Sequence, residues 1–137
     1  MIKIFKKSKN KDGWVYCNVN PYKNETHDCS IRSIALFQEN TWENTYKNLF
    51  KIALEQKNVS TTLGVVRRYL SEFCICTPVD IVFNNYSIPY EKSILRLANK
   101  KGGDQHMVFT EHHKYYDTFP LDGKNWKVVE VYTYIPK

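Results

Sequence analysis

The chain has 137 residues and a formal net charge of +6. This length predicts one domain, residues 1–137, whose core is large enough to fold without disulfide bonds. The basic residues near the N-terminus are followed by polar residues, which excludes a secretory signal peptide, and no apolar stretch reaches the length of a membrane span. We therefore expect a cytoplasmic protein with no membrane partner, in which four cysteines are free thiols: Cys17, Cys29, Cys74 and Cys76.

The positive charge invites comparison with nucleic-acid-binding proteins, because neutralising phosphates supplies most non-specific affinity. All but four of the 20 basic residues are lysines, and they are spread along the chain. Arginine forks, which read phosphates and guanine bidentately, are therefore scarce. This pattern is typical of a solvated lysine surface and argues against a nucleic-acid partner.

The N-terminal part predicts two strands and a helix. Residues 2–5 and 14–19 look like short strands joined by a hairpin that ends in Asp12-Gly13. Residues 20–25 have the composition of a loop. Asp28 is then the expected N-cap of a first helix, Cys29–Gln38, and the buried face of this helix carries Ile31, Ile34 and Ala35.

Two more helices follow. Thr41 caps a second helix that runs to about residue 57, and Ser60 or Thr61 begins a third. The spacing of three and four residues predicts which side chains are buried. In the second helix these are Trp42, Tyr46, Leu49, Phe50 and Ala53, and in the third they are Leu63, Val66 and Leu70.

The second half predicts strands. Residues 79–83, 93–98, 106–109, 115–119 and 126–134 are short apolar or β-branched runs separated by turn residues. The strand that begins with His106 needs an antiparallel partner, and residues 93–98 supply it. Helices first and an antiparallel sheet second are the order of an α+β fold, with a helical layer packed on the sheet.

Cys29 is the first candidate for chemistry. The first turn of a helix presents free N–H groups and the positive end of the helix dipole, and both stabilise a thiolate. His106 and Asp117 follow downstream on adjacent predicted strands. The order cysteine, histidine, acid is that of a thiol hydrolase with a nucleophile, a general base and an orienting group. The competing interpretation of Cys29 is a small buried hydrophobic residue.

The identity of the third residue depends on the hairpin between Phe109 and Tyr115. A loop with an even number of residues places His106 and Asp117 on the same face of the sheet. A loop of three or five residues turns Asp117 away. Asp122 or Asn125 then becomes the candidate.

Two windows carry a family resemblance: Asp28-Cys29 with the helix behind it, and residues 102–119, where a His-apolar-apolar strand precedes a Tyr-Tyr-Asp strand. This arrangement resembles the papain-like cysteine peptidase superfamily. The closer likeness is to its small members, such as the bacteriocin-leader-processing peptidases and short peptidase-like proteins encoded by phages. The spacing between Cys29 and His106 is well short of the roughly 130 to 150 residues of the large papain enzymes, so only a minimal version of the fold fits.

The resemblance implies a hydrolase acting on a peptide or isopeptide bond through Cys29, His106 and Asp117. It also implies an oxyanion hole made by the Cys29 N–H and a side-chain amide a few residues earlier. The family usually has glutamine there, and this chain offers Asn24. Acyl transfer or deamidation would use the same triad. The phage-encoded members imply a bacterial host cytoplasm.

Two alternatives stay open. The first is a non-catalytic binding protein on the same fold that engages a host protein or nucleic acid through its lysine-rich surface. The second is a zinc site formed by Cys74 and Cys76 with His112 and His113, although the usual zinc knuckle spaces its cysteines by two to four residues. The hydrolase interpretation requires no metal and no cofactor.

Overall fold

The computed structural model describes residues 13–22 and 27–136. Three helices in the first half of the chain pack on a six-stranded sheet that is mixed but mostly antiparallel. The α+β prediction is therefore confirmed at this level. Within the described part of the chain, no helix is long and apolar enough to cross a membrane.

The helices are α1 (Cys29–Gln38), α2 (Trp42–Gln56) and α3 (Leu63–Leu70). The predicted bounds of α1 are confirmed, and Thr41 caps α2 by accepting a hydrogen bond from the Asn44 N–H at 3.1 Å. The third helix begins later than predicted, after Thr62. The reason is that the carbonyl of Thr62 accepts the first helical hydrogen bond, from the Val66 N–H at 3.0 Å.

The buried face predicted for α2 was partly wrong. Leu49 and Ala53 are buried, but Tyr46 and Phe50 are 40% and 44% exposed. Their rings instead stack along the helix surface in the order Trp42, Tyr46, Phe50, with centroids 5.6 and 6.1 Å apart. Spacing of four residues satisfies both arrangements, so periodicity alone could not separate a buried face from a surface row of rings.

The strands are β1 (Trp14–Tyr16), β2 (Cys74–Val82), β3 (Ser93–Asn99), β4 (Gln105–Glu111), β5 (Lys114–Asp117) and β6 (Trp126–Tyr134). They lie in the order β1-β5-β4-β3-β6-β2. Among the strands of the described residues, β1 and β5 are the one pair that runs parallel. The antiparallel pairing of β3 with β4 and the bounds of β6 agree with the prediction.

Two strand predictions need correction. β1 ends at Tyr16 instead of residue 19 and pairs with β5, while the hairpin partner predicted at residues 2–5 lies outside the described residues. β2 begins at Cys74, five residues before the predicted start. It is an edge strand whose side chains are mostly exposed on both faces, so it lacks the apolar alternation that would have revealed its first half.

The core lies on both faces of the sheet. On one face, α1, α2 and α3 pack against Ile94, Met107, Phe109 and Tyr132. On the other, loops cover a second cluster that includes Leu95, Leu97, Val108, Tyr115 and Val128. The alternation along β3 and β4 thus fixes which residues face the helices.

The hairpin from β4 to β5 closes with a two-residue loop, because Glu111 is paired with Lys114. The loop residues His112 and His113 have φ of 58° and 62°, the left-handed values that a tight hairpin turn of type I′ requires. The loop is even-numbered, so His106 and Asp117 share one face, as the even-loop alternative predicts.

Candidate active site

Cys29 is the first residue of α1, and Asp28 occupies the N-cap position as predicted, but its side chain does not cap the helix. Its side chain accepts no capping hydrogen bond, and only its backbone carbonyl takes part, accepting from the Arg32 N–H at 2.9 Å. The Asp28 carboxylate is instead held by the side chains of Asn20, Arg32 and Trp42 at 2.9 to 3.0 Å. These competing donors draw the carboxylate away from the first-turn N–H groups.

The Cys29 thiol meets the edge of β4, where it is hydrogen-bonded to the His106 side chain and to the Met107 N–H. β5 ends at Asp117, which the register sets opposite Val108, so β4 continues past its neighbour at this point. Burial raises the pKa of the Cys29 thiol. The hydrogen bond and charge of His106, the Met107 N–H and the charge of Arg32 outweigh burial and bring the pKa below its usual value.

His106 is positioned by β4 and by two aromatic rings. Its ring packs against those of Phe119 and Trp126, with centroids 5.6 and 5.9 Å away. Nε2 lies 2.5 Å from Asp117 Oδ2, so the hydrogen bond with Cys29 uses the other ring nitrogen, Nδ1. Burial lowers the pKa of His106, but hydrogen bonds and charges from Asp117 and Cys29 raise it to about 9. The imidazole is therefore held as a cation at neutral pH.

Asp117 ends β5 and is only 1% exposed. Its backbone carbonyl accepts from the Trp14 indole N–H and the Cys17 N–H at 3.1 and 3.0 Å, which fastens the end of β5 to the β1 segment. One carboxylate oxygen bonds His106, and the other accepts from the Thr118 N–H at 2.7 Å and from Arg32 at 3.0 Å. Both oxygens are thus fixed, and so is the orientation of the imidazole.

Arg32 joins the two carboxylates of the site. Its Nε donates to Asp28 Oδ1 and its Nη1 to Asp117 Oδ1, each at 3.0 Å. Burial lowers the pKa of the guanidinium, but the two aspartates raise it above its usual value. Sequence reasoning missed this residue. The spacing of four between Asp28 and Arg32 was a usable signal, because it places the two on one face of a helix.

We call Asp28, Cys29, Arg32, His106 and Asp117 together the Arg32 network. Two carboxylates face one guanidinium, and the His106 cation balances the second carboxylate. This arrangement can hold a thiolate beside an imidazolium whose orientation is locked. Such a pair supplies a nucleophile and, on the adjacent ring nitrogen, a proton for a leaving group.

A cavity of about 390 Å³ opens onto Cys29 and His106. Leu63, Val66 and Met107 give it an apolar wall, and Arg96 and Gln105 give it a polar one. A cleft with apolar walls and a few converging polar groups is the usual form of a small-molecule or peptide site.

The remaining candidates lie apart from this cleft or outside the described residues. Asn24, predicted for the oxyanion hole, is outside them. Asp122 and Asn125, the alternatives to Asp117, bond each other at 3.1 Å, and neither bonds His106. Burial raises the pKa of the other thiols, Cys17, Cys74 and Cys76.

The zinc alternative finds no support in the geometry. Cys74 and Cys76 lie on the edge strand β2, whereas His112 and His113 lie in the β4–β5 turn, across β6 and β3. Across residues 13–22 and 27–136, no group of three or more histidine, cysteine or acidic side chains could hold a metal ion.

Comparisons with known proteins do not assign a family. No family model matches the sequence, and no curated protein and no solved structure matches the chain. Function must therefore be argued from the geometry of the cleft.

Proposed function

We propose that the protein is a cysteine hydrolase of minimal papain-like fold that cleaves a peptide or isopeptide bond. Cys29 is the nucleophile, His106 the general base and acid, and Asp117 the residue that orients the imidazole. The observation that carries this proposal is the placement of Cys29 and His106 together in one cavity, with His106 bonded to a fully buried Asp117.

The direction of the pKa shifts supports this assignment. Cys29 is the one thiol among the four whose pKa is lowered, and the pKa of its partner His106 is raised. Opposite shifts on neighbouring acid and base groups are the pattern expected at catalytic sites. A structural cysteine in an apolar core has the reverse shift, as Cys74 does.

In the proposed reaction the Cys29 thiolate adds to the substrate carbonyl carbon, and the electron pair of the C=O bond moves onto oxygen. The Cys29 N–H, at the start of α1, is the backbone donor that stabilises this oxyanion. The intermediate collapses as the C–N bond breaks, and the His106 imidazolium gives its proton to the departing amine. Water, deprotonated by neutral His106, then releases the acid and restores the thiol.

A burst experiment tests this function. Mixing the protein with excess p-nitrophenyl acetate should release close to one equivalent of p-nitrophenolate rapidly, because the acetyl group stays on Cys29 before slow hydrolysis. Mass spectrometry should find the acetyl group on the Cys29 peptide. Cys29→Ala should abolish the burst, and Cys76→Ala is the matched control because Cys76 is exposed and has a raised pKa.

The outcome separates hydrolase from scaffold. A burst that persists in Cys29→Ala, or acetyl groups spread over all four cysteines, would contradict the proposal. The alternative of a non-catalytic binding protein predicts no burst and salt-sensitive binding through the lysine-rich surface. A binding function of this kind does not require an oriented imidazolium beside a thiol in an open cleft.

A further inference from the structure

A second charged group faces the same cavity. Arg96, on β3, points to the helix side of the sheet as Ile94 does, and lines the cavity with only 12% of its side chain exposed. Its Nε donates to Glu130 Oε1 at 2.7 Å, and its Nη1 donates to the side-chain oxygen of Gln105. A guanidinium carries five N–H donors, so these two bonds leave donors for a ligand.

Glu130 holds Arg96 in place without neutralising this wall of the cavity. The Glu130 carboxylate is 8% exposed and also accepts from Arg67 Nη2 at 2.5 Å and from the Tyr132 hydroxyl at 2.6 Å. We call Arg67, Arg96, Gln105, Glu130 and Tyr132 the Glu130 network. It contains two guanidinium groups and one carboxylate, so it carries one uncompensated positive charge.

Gln105 extends this network toward the reactive centre. It precedes His106 directly on β4 and lines the cavity. Because its side-chain oxygen accepts from Arg96, its NH₂ group is the end that remains for donation. Arg96 and Gln105 therefore offer donors inside the cavity that Cys29 and His106 also line.

We propose that Arg96 and Gln105 form a subsite for a carboxylate of the substrate, so that the hydrolase acts on an acidic peptide or on a bond next to a free carboxylate. The proposal rests on the hydrolase function proposed above and names its substrate class. A guanidinium fork with excess positive charge matches the two oxygens of a carboxylate. The apolar wall of Leu63, Val66 and Met107 accommodates the neighbouring aliphatic part.

Two alkylating agents of similar size test the subsite. Iodoacetate carries a carboxylate and iodoacetamide does not, and both transfer their carbon to the Cys29 sulfur with loss of iodide. The rate for each is measured at the Cys29 peptide by mass spectrometry at pH 7 and low salt. The ratio of the two rates reports the charge of the cavity, while the iodoacetamide rate alone reports the thiolate.

Removing the Arg96 charge should lower the iodoacetate to iodoacetamide ratio. We expect a decrease of roughly fivefold in Arg96→Met, because a full charge several ångströms away acts through a partly solvated cleft. The decrease should shrink as salt is added. Arg68→Met is the matched control, because Arg68 pairs with Glu72 on the exposed side of α3 and does not line the cavity.

Gln105→Glu keeps the proposal testable if Arg96→Met fails to fold. Gln105 is exposed, so the new carboxylate can pair with Arg96 and cancel its charge without disturbing Glu130. The same decrease in ratio is expected, because any change in the thiolate fraction affects both reagents equally and cancels in the ratio.

An unchanged ratio in both variants, or an equal change in Arg68→Met, would overturn the subsite. Slow iodoacetamide alkylation of wild-type Cys29 would instead remove the hydrolase function, so the two failures are distinguishable.

Discussion

The Arg32 network and the Glu130 network are built from the same chemistry and border the same cavity, yet their charge balance differs. Arg32 faces two buried aspartates, whereas Glu130 faces two arginines. Without His106, the first network would be short of one positive charge, whereas the second has one in excess. Each imbalance leaves a charge that a further ion of opposite sign would stabilise.

The two networks differ in the side chains that accompany the excess charge. In the Arg32 network, His106 pairs with Asp117, the carboxylate that Arg32 alone does not neutralise. This pairing stabilises the imidazolium, and the charge of the imidazolium favours the thiolate of Cys29. In the Glu130 network the partners are arginine and tyrosine, which stay protonated near neutral pH. The comparison teaches that, of the two networks, only the Arg32 network is completed by a side chain whose ordinary pKa lies near neutral.

Replacing His106 should have the largest effect, because it removes the side chain that distinguishes the Arg32 network from the Glu130 network. We expect His106→Ala to slow acylation of Cys29 by p-nitrophenyl acetate by roughly 100- to 10,000-fold at pH 7, the usual range for loss of a general base. Alkylation by iodoacetamide should show its inflection at higher pH than in the wild type, toward about 8.5, because the thiol loses its ion-pair partner.

The control for this variant is His113→Ala. His113 lies in the β4–β5 turn, where its Nδ1 bonds the Ile88 carbonyl at 2.9 Å, and it does not line the cavity. Equal effects of the two substitutions, or a pH inflection that does not move in His106→Ala, would argue against an ion pair between Cys29 and His106.

Replacing Arg32 or Arg96 should lower the free energy of unfolding by different amounts. Arg32→Met leaves the buried Asp28 without a cation and Asp117 with His106 alone, and it should cost about 3 to 5 kcal/mol of unfolding free energy. Arg96→Met leaves Glu130 with Arg67 and Tyr132 and should cost about 1 to 2 kcal/mol. Urea denaturation at pH 7 measures both.

Arg32→Lys provides a folded comparison if Arg32→Met is too unstable to purify. It keeps the charge but cannot bridge both aspartates with a planar fork, so an intermediate loss is expected. A cost for Arg32→Met at or below that of Arg96→Met would contradict the charge balance drawn above.

Much of this fold and part of the site follow from local sequence signals. The bounds of α1, the strand β6 and the even loop that sets His106 and Asp117 on one face come from periodicity and parity. The structure brings together the three residues predicted as a triad. Cys29 begins a helix and His106 and Asp117 lie on two adjacent strands, and each of these local features is visible in the sequence.

The parts that could not be predicted depend on contacts distant in sequence. Asp28 is the N-cap residue, but its side chain makes no capping hydrogen bond because Asn20, Arg32 and Trp42 hold its carboxylate, and only the folded chain brings these donors together. Likewise, no local pattern predicts that Arg67, Arg96 and Glu130 meet. They lie on α3, β3 and β6, and these elements come together only in the folded chain.

The smallest expected effect concerns the pH dependence of the Glu130 network. Burial raises the pKa of Glu130, but Arg96, Tyr132 and Arg67 outweigh it and lower the pKa to about 2. A carboxyl group whose pKa is lower in the folded state adds stability above its ordinary pKa of about 4.3, and this stability is lost as pH falls toward 2. Glu130→Gln should therefore be less stable than wild type by about 2 kcal/mol at pH 7.

This difference should close on acidification. Urea denaturation between pH 7 and 2.5 should give a wild-type stability that falls below pH 4.5 and a Glu130→Gln stability that falls less steeply. Glu72→Gln, whose exposed carboxylate pairs with Arg68 on the surface, should follow the wild-type curve within about 0.5 kcal/mol. Parallel curves for wild type and Glu130→Gln would mean that Glu130 does not anchor Arg96 through its charge.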